Sequence, residues 1–320
     1  MIVASLRNAK RSYGNIHTVY KRLVVAMSNR NKGIILLLLS AFGFSIMTLF
    51  VKLSGDVPTL QKTIFRNGVS MVISLFFVIY FKERLFGKRE NQPLLLLRST
   101  LGMIGIVLLF YAIDHLVLAD ADMLNKMSPF FTIIFAAFFL KEYVKPYQIY
   151  SIIIAFLGTL FIIKPSFSLD IVPYAAGILS AVFAGAAYTA LRALGNREQF
   201  YTVVFYFSGF TTVVLLPFVI YGYEPMTMQQ TIYLLLGGVF ATVGQFGITL
   251  AYKFAPAKEI SVFNYFSVVF TALLGLVFLA QMPDRYSILG YFIIFGASLY
   301  MFMKNKQVDQ KRDDLLQRPR

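Results

Sequence analysis

Apolar residues in this sequence fall in ten blocks separated by short polar or turn-forming breaks. A helix that crosses a bilayer needs about 20 mostly apolar residues, within a range of ~17–25. Segments that meet this requirement lie at 33–53, 61–81, 94–113, 118–140, 147–164, 172–192, 200–221, 231–252, 258–280 and 286–303. The breaks carry turn chemistry, as in Gly55-Asp56-Val57-Pro58, Gly87 through Pro93, Lys145-Pro146, Lys164-Pro165, Gly195-Asn196, Tyr223-Glu224-Pro225, Pro256 and Pro283-Asp284. The weakest break, 114–117, sets only Asp114 and His115 between two apolar runs, and without it one helix would exceed 40 residues. The pattern predicts an all-α integral membrane protein with ten transmembrane helices.

The blocks repeat. Asn125-Lys126-Met127-Ser128-Pro129-Phe130-Phe131 is matched 139 positions later by Asn264-Tyr265-Phe266-Ser267-Val268-Val269-Phe270, with Asn, Ser and the last Phe coinciding. At the same displacement Phe139-Leu140 meets Phe278-Leu279 and Glu142 meets Gln281, while a one-residue slip aligns Gly158 with Gly296. Ser40-Ala41 and Ser180-Ala181 are 140 apart, as are Lys52 and Arg192. The expected organisation is a basic tail over 1–32, a first five-helix repeat over 33–164, a second over 172–303 and a C-terminal tail over 304–320. Five is an odd number, so the second copy enters the membrane from the opposite side. Inverted-topology repeats of this kind recur in secondary transporters, which hold their site near the midplane between the halves and alternate access to it.

Composition agrees with a membrane class: 58% of the 320 residues are hydrophobic and 14% charged, against ~45–50% and ~25% in soluble chains. The formal charge of +15 resides mainly in the tails and loops, where orientation in the bilayer accounts for it, so nucleic acid is not an expected partner. The tails hold thirteen Lys and Arg, and the loop 82–93 adds Lys82, Arg84, Lys88 and Arg89. On the other side 54–60, 114–117 and 222–230 have none, and 281–285 has only Arg285. The positive-inside rule then makes both termini cytoplasmic, in a bacterial plasma membrane. The acid-free stretch 1–32 reads as a tail, or as sequence ahead of a translation start at Met27. Cysteine is absent, and His17 and His115 form no cluster, so neither a metal nor another cofactor is expected.

A charge at a helix centre costs roughly 2.5–3.5 kcal/mol on insertion scales, so each one needs a partner, water or an escape to the interface. Arg98, Lys141, Glu142, Lys253 and Glu259 lie near predicted helix ends and are expected to snorkel. Arg66, Asp120, Asp122 and Lys126 lie deeper. Asp122, Asn125, Lys126 and Pro129 are spaced i, i+3, i+4, i+7 on one helical face, and Asp122 and Lys126 can neutralise each other. Arg66, Asp122 and Lys126 read either as a gate or ion-coupling group at a cavity edge, or as an ion pair that holds the second and fourth helices together. Pro129 frees a carbonyl, which a membrane tolerates only where protein or a wet cavity satisfies it. Asn125 and Asn264 are the related polar pair expected at a substrate site, with Tyr265, Tyr188, Tyr206 and Gln245 as further candidates. Gly102, Gly105, Gly237, Gly238, Gly244 and Gly247 are expected to let helices approach closely. No nucleophile elbow, zinc-type His-Glu-x-x-His or phosphate-binding glycine loop is present, so no enzyme is expected.

The apolar run before Pro129, the Phe139-Leu140-Lys141-Glu142 ending, the short loop that follows and Gly158 resemble the drug/metabolite transporter superfamily, specifically its EamA-type domain, twice over 33–303. The resemblance implies a carrier of two inverted five-helix halves, with a central cavity lined by helices one to four and six to nine and with five and ten peripheral. Val268 and Gln281 depart from the proline and the acid that the family often has there. The expected function is secondary transport of a small polar or amphipathic metabolite, of amino-acid, amino-acid-derivative or nucleoside type, with export favoured over import. Expected partners are the lipid bilayer and the small-molecule solute, with a homodimer as an option. The alternative is a non-transporting membrane scaffold or a subunit of a larger assembly.

Overall fold

The computed structural model describes residues 29–164, 171–195, 197–254 and 260–316. The expectations for the tail up to residue 28, Pro165, Asn196, Pro256 and Glu259 lie outside the described residues. Within them stand eleven α-helices and no strand: α1 Asn29–Leu53, α2 Thr59–Tyr80, α3 Gln92–His115, α4 Leu118–Asn125, α5 Ser128–Phe139, α6 Pro146–Ile163, α7 Val172–Leu194, α8 Phe200–Tyr221, α9 Met228–Phe254, α10 Phe266–Leu279 and α11 Arg285–Leu316. Short 3₁₀ turns span Arg89–Asn91 and Ser261–Tyr265.

Among the described residues nine helical segments are long and apolar enough to cross a membrane. The expected continuous tenth, 118–140, is instead split into α4 and α5. Pro129, in the first turn of α5, has no N–H to give the carbonyl of Asn125. The chain tightens there into i→i−3 bonds, with Met127 N donating to the Leu124 carbonyl at 3.1 Å and Phe130 N to that of Met127 at 3.0 Å. The segment expected over 258–280 is interrupted at the equivalent place: the 3₁₀ turn ends at Tyr265, 139 positions after Lys126, although Val268 replaces the proline.

Polar side chains close the helix ends. Lys52 Nζ donates to the carbonyls of Ile113, Asp114 and Leu116 at 2.6, 2.8 and 3.0 Å, which satisfies the otherwise free C-terminal acceptors of α3. Lys62, 1% exposed, meets the Asp114 carboxylate at 2.5 Å and the Gly55 carbonyl at 2.7 Å. The sparse break at 114–117 is therefore held by two lysines from other helices.

The halves interdigitate. The pair α1 and α9 packs, as does α3 and α7; α5 packs on α7 as α10 packs on α1; and α2 with α8 and α6 with α11 complete the bundle. Exchanging the halves maps these pairings onto one another. Local chemistry repeats as well: Ser40 Oγ donates to the Gly244 carbonyl at 2.6 Å where α1 crosses α9, and a Cβ on Gly105 would lie 3.3 Å from the Ser180 carbonyl where α3 crosses α7. Small residues permit both crossings. On the periphery α6 and α11 meet so closely that a Cβ on Gly290 would lie 2.7 Å from the Gly158 carbonyl. The outer surface exposes Phe138, Val213, Ile220, Val277 and Phe292, an apolar belt suited to lipid rather than to water.

Candidate functional site: a cavity between the halves

A cavity of about 110 Å³ lies inside the bundle. Its wall is drawn from α1, α2, α3, α4, α5, α7, α8, α9 and the 3₁₀ turn at Ser261–Tyr265, and α6 and α11 contribute nothing to it. Much of the lining comes in repeat-related pairs. Phe44 faces it with Ala184, Met47 with Ala187 and Thr48 with Tyr188, each 140 apart; Ile106 faces it with Gln245, Leu109 with Ile248 and Asn125 with Asn264, each 139 apart.

The charged groups break this symmetry. Arg66, Arg98, Asp122 and Lys126 line the cavity, and the positions 139 or 140 later are Tyr206, Gly237, Ser261 and Tyr265. All the charge thus comes from the first half. Lys126 Nζ stands 3.6 Å from Asp122 Oδ1 across one helical turn. Asp122 Oδ2 accepts from the Ser267 hydroxyl at 2.7 Å and from that of Thr271 at 3.4 Å, so the acid also ties α4 to α10.

Seven of the residues singled out in the sequence come together at the wall: Arg66, Asp122, Asn125, Lys126, Tyr188, Gln245 and Asn264. Asn125 Nδ2 donates to Ser180 Oγ at 3.0 Å, whereas the buried Asn264 Oδ1 has no partner among the described residues. Two others lie elsewhere. The Tyr206 hydroxyl donates to Gln92 Oε1 at 3.0 Å, beside the apolar cluster of Leu95, Leu194 and Val203. Tyr265 is 4% exposed and donates to the Lys126 carbonyl at 3.1 Å, so it braces the break in the fourth span rather than facing the cavity.

The sequence reading missed Arg98. It does not snorkel: it is 5% exposed, and its guanidinium carbon lies 3.9 Å from the centre of the Phe207 ring. Gly102, Gly105, Ile106 and Leu109 follow it at i+4, i+7, i+8 and i+11, all lining the same cavity. That helical stripe was present in the sequence as a signal, but the glycines on it looked like packing residues alone. Phe207, next to the expected Tyr206, faces the cavity in its place.

Polar contacts join the halves at both ends. At one, Gln61 Nε2 donates to the Glu224 carbonyl at 2.9 Å, Gln61 Oε1 accepts from Glu224 N at 3.2 Å, and Gln230 Nε2 donates to the Ser54 carbonyl at 3.1 Å. At the other, Glu198 Oε1 accepts from Asn91 Nδ2 at 2.6 Å and from Lys88 N at 2.7 Å. Among the described residues no group of three or more His, Asp and Glu is placed to hold a metal ion.

An apolar-belted helical bundle around a cavity lined by both polar and apolar side chains is a construction that suits a multi-pass membrane transporter. This chain belongs to the EamA-like transporter family, which matches it twice, over residues 31–164 and 172–303, and with it to the drug/metabolite transporter superfamily. It is 35% identical over 280 residues to the pseudopaline exporter CntI of Pseudomonas aeruginosa strain UCBPP-PA14, covering 86% of this chain and 97% of that one. It is 28% identical to human solute carrier family 35 member G1 over 83% of this chain and 78% of the relative. An uncharacterized transporter of Helicobacter pylori strain J99 is 29% identical over 83% of this chain and 93% of its own. A solved crystal structure aligns with a TM-score of 0.60 over 84% of this chain and 98% of its own at 16% identity, which shows a shared fold.

Proposed function

We propose that this protein is a secondary transporter that exports a small polar or amphipathic organic metabolite, of amino-acid, amino-acid-derivative or nucleoside type, by alternating access between two inverted five-helix repeats. The observation that carries the reading is the cavity wall, where Asn125 and Asn264, Thr48 and Tyr188, and Ile106 and Gln245 enter as repeat-related pairs from the two halves. Sites in carriers built of inverted repeats lie at such an interface. The polar contacts that join the halves at both ends supply two gates, one of which opens while the other stays shut. The relative named as an exporter favours outward movement, and the basic loops favour a plasma membrane with both termini in the cytoplasm.

The test is transport by the purified full chain in liposomes loaded with a mixed pool of amino acids, amino-acid derivatives and nucleosides, read by mass spectrometry. At least one pool member should leave with saturable kinetics. A chain that moves none of them, and whose thermal stability none of them raises, would contradict this substrate class and favour the scaffold reading.

A further inference from the structure

The cavity holds three bases and one acid, a formal charge of +2. Asp122 is engaged by Lys126, Ser267 and Thr271. Arg66 and Arg98, 4% and 5% exposed, make no ion pair among the described residues. Arg66 Nη1 donates to Asn67 Oδ1 at 2.7 Å, while Arg66 Nε and Arg98 Nη1 are buried with no hydrogen-bond partner among the described residues. Both guanidinium groups lie against one ring: Arg66 is 5.6 Å and Arg98 3.9 Å from the centre of Phe207. The two like charges are therefore no further apart than the sum of those distances.

A cation–π contact offsets part of the cost of such a charge, but two neighbouring buried cations without a counter-ion remain unfavourable inside a membrane protein. A ligand that brings the negative charge removes that cost when it binds. Guanidinium presents a planar fork of donors that matches a carboxylate in two parallel hydrogen bonds. The rest of the wall adds an apolar part, from Phe44, Met47 and Leu109, and an unfilled acceptor at Asn264 Oδ1.

Resting on the transporter reading above, we propose that the solute is an organic anion whose carboxylate, or pair of carboxylates, is held by Arg66 and Arg98 against Phe207, with an apolar portion and a hydrogen-bond donor directed to Asn264. Among the amino-acid derivatives this selects those whose acidic groups outnumber their amines. Neutral nucleosides and polyamines are excluded.

The proposal is tested by thermal-shift and calorimetric titration of the purified full chain with succinate, phenylsuccinate and N-acetylglutamate, against succinamide, uridine, putrescine and glycerol 3-phosphate. The carboxylates should stabilise the protein and the neutral amide and the polyamine should not, with phenylsuccinate ahead of succinate because of its apolar arm. Arg66→Gln and Arg98→Gln should each weaken carboxylate binding at least tenfold while leaving the ligand-free melting temperature unchanged or higher, because each removes a buried unpaired charge. If either variant fails to fold, Arg66→Lys and Arg98→Lys keep the charge without the fork and should still weaken binding. Stabilisation by uridine or putrescine but by no carboxylate would overturn the anion assignment and leave the transporter reading intact; a preference for glycerol 3-phosphate over every carboxylate would overturn the carboxylate assignment and make the solute a phosphate ester. Carboxylate binding without transport of any solute would instead count against the transporter reading alone.

Discussion

The Tyr265 hydroxyl donates to the main-chain carbonyl of Lys126, 3.1 Å away and 139 positions earlier in the chain. That separation is also the displacement of the sequence repeat, so equivalent positions of the two halves touch each other. Contact between equivalents occurs where a two-fold relation between halves passes through the molecule. It falls at the break between α4 and α5, where a carbonyl released from the helical ladder needs a donor. Tyr265→Phe should lower stability by about 1–2 kcal/mol, the cost of a buried acceptor left without its partner. Thermal unfolding in detergent measures this, and an unchanged melting temperature would mean that the contact is incidental.

Asp122 and Lys126 are expected to behave as a coupled pair. Lys126→Met leaves a buried carboxylate with only the Ser267 and Thr271 hydroxyls for support. Adding Asp122→Asn removes the stranded charge, so the double variant should be more stable than Lys126→Met alone. A double-mutant cycle in thermal unfolding should give a coupling of about 0.5–3 kcal/mol. Additive effects would show that the two side chains act separately.

Lys62 is a stability residue at the rim. It is 1% exposed and bonds both Asp114 and the Gly55 carbonyl. Lys62→Met leaves the partly buried Asp114 carboxylate with the Thr59 hydroxyl as its remaining hydrogen-bond partner and should cost about 1–3 kcal/mol. Combining it with Asp114→Leu should recover most of the loss, because the isolated charge is then gone. Expression level and melting temperature of the three variants decide the matter.

The two polar seams should act as opposite gates. The chain has no cysteine, so it is its own background for cross-linking. A bismaleimide joining Gln61→Cys to Glu224→Cys, or Asn91→Cys to Glu198→Cys, should stop transport in either case, because each cross-link holds one seam shut. Transport that continues across both cross-links would exclude rocking of one half against the other.

Much of the fold was legible because lipid imposes a simple rule, long apolar blocks with polar punctuation, and most of the described helices begin and end close to the sequence expectation, although α11 continues past the expected end at 303 to Leu316. The cavity was legible only in part. Asn125 and Asn264 could be found because the repeat marks them, and Asp122 with Lys126 because one helical turn relates them. Arg98 was missed because distance from a helix end says nothing about which face looks inward. Tyr206 was chosen over Phe207 for its polarity, yet adjacent residues point about 100° apart on a helix, and it is the ring without a hydroxyl that faces the cavity. Lys62 escaped notice because its partner lies 52 residues away, a relation no local spacing reveals.

The central claim is that the cavity between the halves is where solute is carried. Asn264→Leu tests it most directly, because Asn264 lines that cavity and its Oδ1 has no partner to lose among the described residues, so the change should leave the fold undisturbed. The measurement is solute efflux from proteoliposomes as a function of solute concentration, with the melting temperature of the same preparation as control. The account predicts an unchanged melting temperature with a half-saturation concentration raised at least several-fold, or transport abolished. Efflux kinetics equal to those of the unaltered protein would contradict it and place the translocation path elsewhere in the bundle.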